Sequence, residues 1–229
     1  MTNSNEATNP LDTSAAGGPH GGEPVAMVGA PPGEGDGAVI MIHGRNAAPQ
    51  DILGLARALD RPRFTWVAPG AAGNTWYPHS FMAPTEANQP GLSSGLAVVG
   101  TLAKHLEAAG VPREKIMLLG FSQGACLTSE FAVRNPARYG GVIVYSGGLI
   151  GPPGTTWDTA AGSFRGTPVF LGCSDVDPHV PLERLEESAR VFEEMGARVT
   201  KRIYPGMGHL VNDDEIATAR EIMDRVAGG

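Results

Sequence analysis

Lys115-Ile-Met-Leu-Leu-Gly-Phe-Ser122-Gln-Gly-Ala125 is the stretch on which the reading of this chain turns. A short apolar run of strand character ends in Gly120-Phe121-Ser122-Gln123-Gly124, and helix-forming residues follow at once. The pattern is strand, sharp turn, helix, with a serine at the apex. In that geometry the serine side chain stands clear at the carboxyl edge of a sheet, and the helix amino terminus points at it. The flanking glycines keep Cβ atoms out of the tight turn. Ser122 is therefore a candidate nucleophile for acyl transfer.

The motif alone is weak, because 32 of the 229 residues are glycine and such a pattern arises readily by chance. A second match is present at Gly91-Leu92-Ser93-Ser94-Gly95. It follows Asn88-Gln89-Pro90 rather than a strand, and it precedes a helical pattern. Ser93 or Ser94 reads better as a helix N-cap, accepting from the first free backbone amides. Context selects Ser122.

Length and composition admit one α/β domain with a large core. The hydrophobic fraction of 41% is ordinary for a globular chain. A net charge of −7 argues against nucleic acid and anionic membranes as partners, and no basic or aromatic-and-basic strip offsets it. No apolar run approaches the roughly 18 residues of a membrane-spanning helix, and the amino terminus lacks the basic and apolar regions of a secretory signal. Cys126 and Cys173 form neither a disulfide framework nor a metal-ligand spacing, and read as small buried hydrophobes of a cytoplasmic protein.

Residues 1–23 hold little to bury and are expected to form a disordered tail, with 24–229 as a single domain. Val25 to Val28 reads as an early edge strand. Apolar runs then alternate with helical segments: strand Ala38 to Ile42, helix Pro49 to Leu59, strand Phe64 to Ala68, helix Ser93 to Ala109, strand Lys115 to Leu119 and helix Gln123 to Arg134. Strands Gly141 to Tyr145 and Thr167 to Leu171 follow, then helix Pro181 to Met195, strand Arg198 to Tyr204 and helix Asp213 to Val226. Strands apolar throughout and separated by helices predict a mostly parallel sheet covered on both faces, with ligands bound beyond the carboxyl ends of the strands. Two long connections interrupt the rhythm. The one from Pro69 to Ser94 holds Trp76, Tyr77, Phe81 and Met82; the one from Ser146 to Arg165 holds Trp157. These aromatic and apolar residues are expected as a wall for an apolar substrate.

A serine hydroxyl needs a base, and the base needs an orienting carboxylate. His20 lies in the expected tail, His105 on a solvent-facing helix surface, His43 before the serine, His79 in the first long loop and His179 beside the candidate acid. His209, in the glycine-rich loop after the last strand, remains as the base. Of the two carboxylates after the strand ending at Leu171, Asp177 is preferred because Pro178 fixes its backbone; Asp175 reads as a residue shaping the same loop. The developing oxyanion requires donors, and the backbone amides of Gln123 and of Arg45, in His43-Gly44-Arg45-Asn46, are expected to supply them. The Arg45 side chain could instead grip an anionic substrate. A metal site from His79, His179 and Asp177 would require two distant loops to meet, and no metal or other cofactor is expected.

His43-Gly44, Ala68-Pro69, Thr75-Trp76-Tyr77-Pro78, Gly120-Phe-Ser-Gln-Gly124, Asp177-Pro-His-Val-Pro181 and Gly206-Met-Gly-His209 together resemble the phospholipase/carboxylesterase family of small serine hydrolases, which includes acyl-protein thioesterases. The resemblance runs from about residue 37 to the end. It implies an α/β-hydrolase fold without a large cap domain, and a Ser122, Asp177, His209 triad acting on carboxylic esters or thioesters. Many relatives carry glycine where this chain has Asn46, a residue that also tolerates positive φ. The loop from Trp76 looks closer to bacterial esterases than to eukaryotic thioesterases. Dienelactone hydrolases are similar but use cysteine at the elbow. The sequence thus points to a carboxylesterase for small or medium apolar esters, with a thioesterase or lysophospholipase as the alternative and a non-catalytic binding module as the rival from another class. It leaves the oligomeric state, including a homodimer, open.

Overall fold

Seven strands form one sheet in the order β1-β3-β2-β4-β5-β6-β7 in the computed structural model, which describes residues 11–228. They are β1 (Val25–Gly29), β2 (Gly37–Ile42), β3 (Phe64–Pro69), β4 (Ile116–Phe121), β5 (Gly141–Tyr145), β6 (Pro168–Ser174) and β7 (Arg198–Tyr204). Only β1 runs antiparallel to its neighbour; the rest pair in parallel. The central strands are buried along their whole length, as strands covered on both faces must be.

The cover comes from α1 (Pro49–Leu59), α2 (Gly91–Ala108), α3 (Gln123–Arg134), α4 (Leu182–Glu194) and α5 (Asp213–Ala227). Ile52 and Leu59 of α1 and Ile222 and Met223 of α5 pack with Val39, Met41, Met117 and Leu119 on one face. Helices α2, α3 and α4 pack with Ile40, Leu118 and Val144 on the other. Local chemistry sets the helix starts. Asp51 accepts from the Ala48 amide ahead of Pro49, and Asn212 and Glu215 exchange hydrogen bonds across the first turn of α5. Helix α2 begins at Gly91, preceded by Pro90. Ser93 and Ser94 therefore lie inside its first turn and neither is the cap expected from sequence.

The long connections carry only single turns of 3-10 helix among the described residues, such as Ala72–Asn74 and Thr85–Asn88, and build no cap domain. No helix among the described residues is long and apolar enough to cross a membrane.

The expected disordered tail is corrected for residues 11–23; residues 1–10 lie outside the described residues. Leu11, Thr13 and His20 are buried. The His20 ring reaches the Trp76 carbonyl at 2.9 Å and the Ala72 amide at 3.0 Å, while its own amide donates to Ser94 Oγ, which in turn donates to the Gly17 carbonyl. Low hydrophobic content misled here because hydrogen bonds to the first long loop and to Ser94 of α2 hold the segment, along with the packing of Leu11 on the core. His20→Ala leaves the buried Trp76 carbonyl and the half-buried Ala72 amide without a partner and should cost about 1–3 kcal/mol, read as a lowered midpoint in urea; an unchanged midpoint would mean that this segment is not docked in solution.

Candidate active site

Strand β4 and helix α3 meet with no intervening residue but Ser122, whose φ is 55° and ψ −121°. A non-glycine residue in that region is strained, and neighbouring contacts enforce it. A Cβ at Gly120 would come within 2.3 Å of the Gly124 carbonyl oxygen, and one at Gly124 within 2.1 Å of the Ile42 oxygen. The turn is closed by Ser122 N–H donating to Tyr145 O and Cys126 N–H donating to Ser122 O.

Three strand ends converge on the serine hydroxyl. His209 Nε2 lies 2.8 Å from Ser122 Oγ, and His209 Nδ1 lies 2.7 Å from Asp177 Oδ2. A carboxylate can only accept, so Nδ1 carries the ring proton and Nε2 of the neutral ring is left to accept from the serine. The other oxygen of Asp177 accepts from the amides of His179 and Val180 at 2.8 and 3.1 Å. Burial pushes the Asp177 carboxyl up, but the hydrogen bonds from His209 and the His179 amide, the His209 charge and the Val180 amide outweigh it and hold it below the usual carboxylate range. Cys173, beside it, is pushed up to about 12 by burial and by the Asp177 charge.

The loop after β2 approaches from the other side. A Cβ on Gly44 would stand 3.3 Å from that of Ser122. Asn46 has φ 61° and donates to Asn74 O, so asparagine here adopts the left-handed conformation its side chain tolerates. The Arg45 guanidinium donates to the carbonyls of Tyr77, Pro78 and His79 at 2.8 to 3.0 Å. These bonds tie it to the first long loop. Gln123 holds the same loop through its side chain. Its side chain accepts from Trp76 N–H at 2.9 Å and donates to Tyr77 O at 2.8 Å, a role that no local sequence signal announces.

These residues enclose a cleft of about 580 Å³ lined by Gly44, Arg45, Tyr77, Phe81, Ser122, Gln123 and His209, with Cys126, His179 and Val180 among its other walls. Tyr77 and Phe81 thus stand where an apolar wall was expected; Trp76, Met82 and Trp157 do not. Trp76 is fully buried, its indole N–H donating to His43 O and its ring against His20 and His43. Met82 packs on the core. Trp157 donates to Glu130 and lies 5.4 Å from the Arg184 guanidinium. Buried Arg184 and Glu130 brace the second long loop through the carbonyls of Leu149 and Gly151 and the amide of Ile150. That loop is tied to the first by Gly151 N–H donating to Phe81 O. Sequence reasoning missed both charged residues, whose helical positions look like solvated ones. His79 and His179 both line the cleft, yet no cluster among the described residues could hold a metal ion.

The sheet order, the strained serine between β4 and α3, and a histidine and a carboxylate delivered to it from successive strand ends define an α/β-hydrolase. The chain belongs to the phospholipase/carboxylesterase family, whose sequence model matches residues 24–226. It is 31% identical over 153 residues to acyl-protein thioesterase 1 of Eremothecium gossypii, a match taking in 63% of each chain. It is also 31% identical over 124 residues to a probable carboxylesterase of Oryza sativa subsp. japonica, covering 53% of this chain and 52% of that one. The chain spans less than two thirds of the length of these curated relatives. The crystal structure of a phospholipase/carboxylesterase from Dyadobacter fermentans DSM 18053 superposes with a TM-score of 0.85 at 41% identity, covering 91% of this chain and 99% of that one.

Glu215 supports the loop that carries His209. Its Oε2 accepts from the Asn212 amide at the start of α5, while buried Oε1 has no partner and abuts Gly172. Burial raises this carboxyl from 4.5 to about 7; the Asn212 amide opposes the rise and the Asp214 charge adds to it. A folded pKa above the unfolded one means that the native state binds the proton more tightly, so stability falls as pH rises from 4.5 to about 7 and stays low above it. Glu215→Gln should therefore stabilise the protein at pH 8 by up to about 3 kcal/mol and give no gain at pH 4, in thermal unfolding at the two pH values. Equal effects at both would contradict the assignment.

Proposed function

We propose that this protein is a serine carboxylesterase, and the observation that carries the reading is the unbroken chain of short contacts from Ser122 Oγ through His209 to Asp177. Ser122 Oγ attacks the ester carbonyl carbon while His209 Nε2 takes its proton. The carbonyl electron pair moves onto oxygen, and the amides of Gln123 and Arg45 donate to that oxyanion. Collapse of the tetrahedral adduct breaks the bond to the alcohol, which leaves with the proton from His209. Water then enters, His209 takes a proton from it, and the resulting hydroxide attacks the acyl-enzyme. The second collapse expels Ser122 Oγ, which recovers its proton from His209 as the acid is released. Asp177, held ionised by the His209 ring and the His179 and Val180 amides, fixes the tautomer and offsets the imidazolium charge.

The cleft volume and its Tyr77 and Phe81 walls suit a small or medium apolar ester. The same machinery would cleave a thioester, a second reading favoured by the thioesterase name of the relative from Eremothecium gossypii. The two buried free cysteines fit a cytoplasmic setting.

Ser122→Ala should reduce hydrolysis of p-nitrophenyl butyrate to background and abolish labelling by a fluorophosphonate probe; activity retained in that variant would sink the proposal. Asp177→Asn, which keeps the shape but offers the wrong hydrogen-bonding partner to Nδ1, should lower kcat about 10,000-fold with KM little changed. A higher kcat/KM for a long-chain acyl thioester than for the butyrate ester would favour the second reading over the first.

A further inference from the structure

His209 rides on a loop with little stiffness of its own. Gly206 and Gly208, on its amino-terminal side, have φ of 65° and 79°, and glycine leaves such a backbone few restraints. The two hydrogen bonds of the ring, at Nδ1 and Nε2, set its position in the ring plane but resist tilting about the line between those atoms poorly. Two aromatic rings contact it as well. Phe121, at the end of β4, lies 5.0 Å away with a 39° interplanar angle. His179 lies 4.8 Å away in an edge-to-face arrangement at 77°.

Resting on the triad assignment above, we propose that the His179 side chain is a positioning residue, which restrains the tilt of the His209 imidazole and keeps Nε2 aligned on Ser122 Oγ. His179 is itself well placed for this. Its main-chain N–H donates to Asp177 Oδ1 at 2.8 Å, and Asp177 in turn binds His209. One residue thus anchors the acid through its backbone and touches the base through its ring. Edge-to-face contact is a favoured geometry between aromatic rings and contributes beyond the area it buries. The division of labour also makes the idea separable. Replacing the side chain removes the ring contact and leaves the N–H that holds Asp177 in place.

The test uses His179→Leu and His179→Phe in the full chain, with kcat and KM for p-nitrophenyl butyrate, fluorophosphonate labelling of Ser122 and thermal unfolding for each. Leucine should lower kcat about 10-fold or more, since small misalignments of reacting groups are expensive, with KM within about two-fold of the parent and an unchanged unfolding midpoint. Phenylalanine, which keeps a planar ring but cannot hydrogen-bond, should recover most of kcat. The proposal is overturned if leucine leaves kcat unchanged, or if the loss falls on KM alone, which would make His179 a substrate contact. It is also overturned if His179→Gln restores kcat and phenylalanine does not. If the probe fails to label Ser122 in the unaltered protein, the serine-hydrolase reading fails and the positioning role with it. Normal labelling with an indifferent leucine variant sinks the positioning role alone.

Discussion

Helix α3 starts one residue after strand β4 ends, and there is no room for that junction unless two Cβ atoms are missing. The Gly124 backbone passes so close to the end of β2 that any side chain would strike the Ile42 carbonyl. Gly120 faces the same turn from the strand side, against Gly124 itself. With both neighbours compressed, the residue between them must take positive φ, and Ser122 does so at 55°. Such a conformation costs on the order of 1–3 kcal/mol, and the surrounding sheet supplies the restraint: Tyr145 O, on the adjacent strand, receives the Ser122 amide. The strain has a geometric result. It lifts Oγ off the sheet edge and turns the first free amides of α3 toward the same space.

The close approach has a second consequence. Because α3 abuts the end of β2, the loop after β2 is brought against Ser122, and Gly44 faces it without a side chain. Arg45 and Gln123, one from each side of the junction, then reach outward and hold the main chain of Trp76 to His79 through five hydrogen bonds. A connection that would otherwise be a long irregular loop becomes a fixed wall. Side chains bonding to its main-chain carbonyls and amides add to the core packing of Trp76, Tyr77 and Phe81. The docked segment around His20 extends the same device to the far side of Trp76.

These differences in what holds each part explain what could be read from sequence. Strands buried on both faces are apolar throughout, and helices α1, α3 and α5 have clear starts, so their order and limits were legible in residue pattern alone. So was the meeting of Ser122, Asp177 and His209, residue types that the chain carries in that order just beyond successive strand ends. The aromatic residues were legible as buried but not by direction. Trp76 and Trp157 signal large apolar surfaces, and only the fold says that one faces His43 and the other Arg184. The segment 11–23 was misread for a related reason: composition measures apolar area, and much of this segment's docking runs through His20 and the Ser94 hydroxyl. Arg184 and Glu130, buried charges satisfied by loop carbonyls and amides, give no periodic signal at all.

The meeting of Asp177 and His209 follows from the pairing of the last two strands. Strands β6 and β7 run parallel, with Ser174 opposite Tyr204 at their carboxyl ends. Their exit loops therefore start side by side, and the first loop addresses the second residue by residue. Asp175 accepts from the Gly206 amide, Ser174 Oγ from the Gly208 amide, and Asp177 from the His209 ring. A slip of one residue in this register would turn the side chains of β7 to the opposite face and break all three contacts together. Both loops are pliable on their own, one through glycines and the other through its exposed turn at Asp175 and Val176. Their geometry is thus inherited from the rigid sheet beneath them, and the ladder that builds the fold also sets the 2.7 Å between Asp177 and His209.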